Sequence, residues 1–131
     1  VHGAGGLDEL ATNGRARVSS LHNGEINTFE VTPAEAGLET CNITELQGGD
    51  AEYNATALTN LLDGKLGAYR DTVIFTSAAA LIVANKASNL QEGAEIAASS
   101  IDEGRARAAL DRMIEISHEG VPDPMGVNPD V

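Results

Sequence analysis

The chain has 131 residues, with 8 Lys+Arg against 20 Asp+Glu and a formal net charge of −12. That balance argues against a nucleic-acid or anionic-membrane binder, because phosphates would meet net repulsion instead of a basic face. Apolar residues make up 42%, enough for a globular core, but only 3% are aromatic and Trp is absent, so the core must rest on Ala, Leu, Ile and Val.

Cys41 is the single cysteine, which rules out an intrachain disulfide and fits a reducing compartment. No apolar run is long enough to cross a bilayer and no signal-peptide pattern is visible, so a cytoplasmic protein is expected. Length suggests one domain. The opening Val1-His2-Gly3, without Met, instead suggests a piece of something larger.

Gly3-Ala4-Gly5-Gly6 suits neither helix nor strand and reads as a turn-forming loop that follows a strand. From Ala16 to Val31 the pattern predicts a β-hairpin around Asn23-Gly24, the preferred pair for a type I′ turn. That turn sets the register: Leu21 faces Ile26, Val18 faces Phe29, Ala16 faces Val31 and Arg17 faces Glu30. A slip of one residue would destroy every match.

Thr32-Pro33-Ala34-Glu35 has the form of a capping box with Pro at the first helical position, and Gly37 ends it after about a turn. A loop through Cys41 then leads to Asp50, an N-cap for a helix over Ala51 to Asp63. Its apolar stripe is Ala55, Leu58, Leu61 and Leu62, and Gly64 stops it. Arg70 to Ala84 is apolar on nearly every side and predicts a central helix buried on most faces. Ser88, with Gln91 three residues on, caps a last helix running to about Ser117, with Gly104 as its weak point. From Gly120 a Pro/Gly tail without periodicity follows, so a folded part over 1–117 and a flexible tail over 118–131 are expected. A lone hairpin is marginal, so the chain is expected to lack sheet.

Among residues that could carry chemistry, Asp8-Glu9 directly follow the glycine turn. Two adjacent carboxylates aimed by a loop can converge on a hard cation, and Mg²⁺ favours one or two carboxylates with water and phosphate oxygens. The residues alone leave open an N-cap Asp followed by a solvated Glu. His2 could act as a base or phosphate donor, or be a packed or surface histidine; His22 and His118 suggest solvent contact only. No nucleophile has a catalytic context, so no covalent catalysis and no catalytic residue is assigned. The glycine run lacks the Gly-Lys-Ser/Thr of a P-loop. Asn42-Ile43-Thr44 and Asn54-Ala55-Thr56 match glycosylation acceptors by chance, and Arg70-Asp71 suggests a local ion pair or a carboxylate serving the helix N-terminus.

Taken in order, His2-Gly3, Gly6-Leu7-Asp8-Glu9, Arg17-Val18, Gly37-Leu38, Leu46-Gln47-Gly48-Gly49-Asp50, Asn54-Ala55 and Leu62-Asp63-Gly64 resemble the latter part of the anthranilate phosphoribosyltransferase family. Arg70-Asp71-Thr72-Val73, Ala78-Ala79-Ala80-Leu81, Glu92-Gly93 and Ile101-Asp102-Glu103-Gly104 continue the match to about Ser117. The resemblance implies an α/β fold, here the C-terminal part of the large domain of a nucleoside phosphorylase/phosphoribosyltransferase-like fold, present as a hairpin plus about three helices. It implies transfer of phosphoribosyl from phosphoribosyl pyrophosphate to anthranilate in tryptophan biosynthesis, by a cytoplasmic enzyme that is a homodimer when complete. The family's metal pair falls on Asp8 and Glu9, which would hold Mg²⁺. Thr76-Ser77 stand where the family usually has Asn, a departure expected to affect helix packing. The family's glycine-rich pyrophosphate loop and its dimer helices lie upstream, so the piece alone is expected to be inactive. A pyrimidine nucleoside phosphorylase-like transferase and a non-catalytic interaction module of the same fold are the alternatives.

Overall fold

A computed structural model describes residues 1–119. Of the tail expected over 118–131, His118 instead ends the last helix, and residues 120–131 lie outside the described residues. The first pairing is a single antiparallel bridge between His2 and Arg17, closed by two backbone hydrogen bonds of 2.8 Å. Next come a 3-10 turn over Ala4–Gly6, strand β1 (Ala16–His22) and strand β2 (Glu25–Val31). The strands pair antiparallel, with Ala16 opposite Val31, Arg17 opposite Glu30, Val18 opposite Phe29 and Leu21 opposite Ile26. Asn23 and Gly24 carry positive φ of 51° and 83°, as the turn chemistry requires. The ion pair on this ribbon is made by Arg15 instead of Arg17, reaching Glu30 at 2.8 Å between two solvated side chains. Among the described residues β1 and β2 are the only sheet.

Thr32 and Glu35 close the expected capping box around a 3-10 turn (Pro33–Ala36), which Gly37 ends in the left-handed region. A second 3-10 turn, Ile43–Leu46, falls where a loop is expected. Both chance glycosylation matches have local structural uses. Asn42 caps this turn, and Asn54 hydrogen-bonds the Gly49 N–H and C=O, each at 2.9 Å.

Four helices follow: α1 (Ala51–Leu62), α2 (Ala68–Val83), α3 (Leu90–Asp102) and α4 (Arg105–His118). Asp50 caps α1 as expected, but burial is confined to the second half of that helix. Leu61 is buried and Leu58 half-buried, while Ala55 is exposed.

Two local readings of the last helices are corrected. The N-cap of α3 is Asn89 instead of Ser88, because the amide oxygen of Asn89 reaches the Glu92 N–H while Glu92 reaches back to the Ser88 N–H. The single long helix is two helices. Gly104 adopts φ 75°, a conformation without steric cost for glycine, and its N–H closes the end of α3 on the Ile101 carbonyl.

The core joins Leu10, Val31, Leu61, Ile74, Phe75 and Ile101 with alanines of α2 and α3. The α2 helix buries one face, through Ile74, Phe75 and Ala78. Its last turn is only partly covered: Leu81 packs against the core, while Val83 is exposed. An apolar groove of about 520 Å³ runs between the hairpin and α2, lined by Val18, Phe29, Ala79 and Ile82.

The α2–α3 contact depends on small residues. A Cβ built on Gly93 would lie 2.8 Å from both Cα and the carbonyl oxygen of Ala78. Helix propensity alone favours Gly93→Ala by about 1 kcal/mol. Overpacking against a backbone that cannot yield costs about 1–3 kcal/mol. The expected outcome is net destabilisation, read as a lower urea midpoint with unchanged m-value; a stabilised variant would show that the helices can separate freely.

Candidate functional site

The Asp8-Glu9 pair sits in a bend between the first 3-10 turn and a buried stretch, with both residues exposed. The bend has its shape because Gly3 and Glu9 approach closely. A Cβ on Gly3 would lie 2.3 Å from the Glu9 carbonyl oxygen, so no other residue fits without moving the loop. The Gly3 N–H donates to the Leu7 carbonyl at 2.7 Å, and Gly5 and Gly6 turn the chain with φ of 72° and 86°. Asn13 Nδ2 ties the turn from the far side, donating to the Ala4 carbonyl at 3.1 Å.

Immediately after the carboxylates, Leu10, Ala11 and Thr12 are almost fully buried although they belong to no helix or strand. Buried backbone groups need partners, and α2 supplies them. Thr76 Oγ1 donates to the Leu10 carbonyl at 2.9 Å, and the Thr12 N–H donates to Thr72 Oγ1 at 3.1 Å. The hydroxyls of Thr12 and Thr72 lie 2.8 Å apart, and the Cys41 N–H donates to the Thr12 carbonyl at 2.9 Å. Cys41 Sγ lies 3.3 Å from Thr12 Oγ1. The departure at Thr76, expected to concern helix packing, therefore also secures the loop beside the carboxylates.

Neither Asp8 nor Glu9 belongs to an ion pair of the described residues, and neither caps a helix. Glu9 lines a cleft of about 200 Å³ with Tyr69, Thr72, Thr76 and Ser77. Two exposed carboxylates are hard oxygen donors that suit Mg²⁺. Among the described residues no group of three or more His, Cys, Asp or Glu is placed to hold a metal ion. A cation here would therefore share its ligands with water and substrate oxygens.

His2 is exposed and contributes its backbone to the bridge with Arg17, while His22 ends β1 and His118 ends α4. The structure does not bring the three histidines to the carboxylate loop as a catalytic group. Arg70 is buried and pairs at 2.8 Å with Asp102 instead of with its neighbour Asp71, joining the start of α2 to the end of α3. Asp71 stands in the first turn of α2, the alternative expected for it.

The geometry so far defines an α/β piece in which an exposed carboxylate pair, Asp8-Glu9, follows a glycine turn. The family model described as glycosyl transferase family, a/b domain, matches residues 1–107, and the chain belongs to that family. Its relatives include the anthranilate phosphoribosyltransferase of Bradyrhizobium diazoefficiens, 52% identical over 118 residues, which are 90% of this chain and 35% of that protein. That of Parvibaculum lavamentivorans is 52% identical over 114 residues, 87% of this chain and 33% of the relative. The chain thus spans about a third of the length of the curated relatives it matches.

Solved structures agree. The anthranilate phosphoribosyltransferase of Thermus thermophilus superposes with a TM-score of 0.77 at 32% identity, covering 86% of this chain and 33% of that one. The Saccharomyces cerevisiae enzyme in complex with PRPP and Mg superposes with a TM-score of 0.78 at 26% identity, covering 87% and 33%.

One carboxyl near the site has a shifted proton affinity. Burial raises the Asp71 pKa above the usual value; Arg70 pulls it down and Glu39 pushes it up. The folded state therefore holds this proton more tightly than the unfolded state. Its contribution is fully present below the ordinary carboxylate pKa of about 3.9 and is lost as pH rises through the raised folded value. Asp71→Asn is expected to lose less stability than the parent as pH rises above about 4, measured by urea unfolding across pH. Parallel curves would remove the burial effect.

Proposed function

We propose that this chain supplies the metal-holding loop of an anthranilate phosphoribosyltransferase, working in tryptophan biosynthesis. In that reaction the bond from ribose C1 to the pyrophosphate oxygen breaks, a bond from C1 to the anthranilate nitrogen forms, and the amine gives up a proton. The observation that carries the reading is the Asp8-Glu9 pair, exposed and free of ion pairs among the described residues. It lies in a chain about half identical to anthranilate phosphoribosyltransferases over about nine-tenths of its length.

Asp8 and Glu9 would hold Mg²⁺. When bound, that ion neutralises negative charge developing on the departing pyrophosphate. The chain's own work is positional. Gly3 permits the bend, the Leu10–Thr12 segment fixes its far end, and the two carboxylates face outward between them. With a net charge of −12, the chain repels a free polyphosphate, so carboxylates that recruit a cation turn that repulsion into a shared ligand set. A leaving pyrophosphate also distinguishes this reading from phosphorolysis, in which inorganic phosphate attacks the ribose carbon. On the same reading the complete enzyme is a cytoplasmic homodimer whose remaining two-thirds supply the pyrophosphate loop and the anthranilate pocket. No helix of the described residues is long and apolar enough to cross a membrane.

The test is a chimera carrying this chain in place of the matching segment of the Bradyrhizobium diazoefficiens relative. It is expected to consume anthranilate, followed by loss of its fluorescence, only when phosphoribosyl pyrophosphate and Mg²⁺ are both present. Asp8→Asn combined with Glu9→Gln is expected to lower kcat/KM by about 10- to 100-fold at fixed Mg²⁺. An active double variant with unchanged Mg²⁺ dependence would remove the pair from the metal site.

A further inference from the structure

We propose that Thr76 is a positioning residue for the carboxylate pair, acting through the backbone of Leu10. The inference rests on Asp8 and Glu9 holding the cation and adds what keeps them in place. The near side of the pair is a glycine turn whose hydrogen bonds, Gly3 N–H to the Leu7 carbonyl and Asn13 Nδ2 to the Ala4 carbonyl, all fall before Asp8. On the far side, directly after Glu9, Leu10 begins a buried stretch with no strand or helix of its own, so its anchoring sets where the pair ends.

Its carbonyl is one residue past Glu9, and the Thr76 hydroxyl donates to it at 2.9 Å. Thr72, one helical turn earlier on the same helix, receives the Thr12 N–H two residues further on. The spacing is matched: a four-residue step on α2 secures both ends of Leu10–Thr12. Thr76 and Glu9 also line the same cleft.

The two threonines differ in exposure and in consequence. Thr72 is buried and bonded to the buried Thr12, so its loss threatens the fold itself. Thr76 is half-buried and has one identified task, the Leu10 carbonyl. Thr76→Val keeps shape and removes the donor; Thr76→Ser keeps the donor and removes a methyl group. A packing role predicts that the serine variant does harm and the shape-preserving valine variant little, whereas a positioning role predicts the reverse.

The experiment has two readouts. In the free chain, amide hydrogen exchange over Asp8–Thr12 is compared with exchange in α3 as a control for the fold. Thr76→Val is expected to speed exchange in the loop while α3 stays protected, and Thr76→Ser to match the parent. In the chimera described above, the Mg²⁺ concentration for half-maximal activity is expected to rise about tenfold for Thr76→Val, with Thr76→Ser close to the parent.

If α3 loses protection in Thr76→Val, Thr76→Ala, which relieves packing instead of preserving it, replaces it under the same criteria. An unchanged Mg²⁺ requirement in the donor-deleted variant, alongside a raised one in Asp8→Asn/Glu9→Gln, would overturn the positioning role and leave the metal assignment standing. An unchanged requirement in both would overturn the metal assignment and this inference with it.

Discussion

The arrangement depends on burying three residues that have no secondary structure. Leu10, Ala11 and Thr12 lie almost fully out of solvent, and a buried irregular backbone is tolerable only when its N–H and C=O groups find partners. Those partners are side-chain hydroxyls of one helix and one loop amide: Thr76 and Thr72 on α2, and the Cys41 N–H. Once this stretch is fixed, the residues before it must leave the protein surface through the Asp8-Glu9 bend. The bend closes only because Gly3 lets the Glu9 carbonyl approach.

The rest of the fold serves the helix that makes these contacts. A wide side chain at Gly93 would push α3 off Ala78 and leave Phe75 and Ile74 less well covered. Arg70, buried at the start of α2, pairs with Asp102 at the end of α3, so the helix pair is held by small-residue contact along its length and by charge at one end. The hairpin contributes Ala16 and Val31 to the core and leaves most of β2 exposed, which matches the expectation of a chain that lacks sheet.

Local chemistry was legible in the sequence, and distant chemistry was not. The hairpin register followed from Asn23-Gly24 because a two-residue turn fixes every pairing beyond it. The caps at Thr32 and Asp50 followed from residues within one turn of each other. At Asn89 and Gly104 the local signals are ambiguous: an amide oxygen outcompetes a neighbouring serine as cap, and a glycine that a helix could tolerate instead ends α3 and opens α4. Of the two readings open for Arg70-Asp71, Asp71 stands in the first turn of α2 and the local ion pair does not form, because the partner of Arg70 is 32 residues away on another helix. The carboxylate pair itself stands out from the glycine run before it, and the order of motifs adds the metal role proposed for it. Nothing in the sequence linked Thr76 to Leu10, 66 positions apart, because a hydroxyl satisfying a backbone carbonyl leaves no periodic or spacing signal.

The central claim is that a glycine turn and a hydroxyl-anchored buried segment hold Asp8 and Glu9 where a hard cation meets a pyrophosphate. The most direct measurement is anomalous diffraction from crystals of the chimera grown with phosphoribosyl pyrophosphate and Mn²⁺ in place of Mg²⁺. The account predicts a manganese peak bound by the carboxylates of both Asp8 and Glu9, with a phosphate oxygen in the same coordination shell. A manganese ordered on the substrate with both carboxylates out of reach would contradict it.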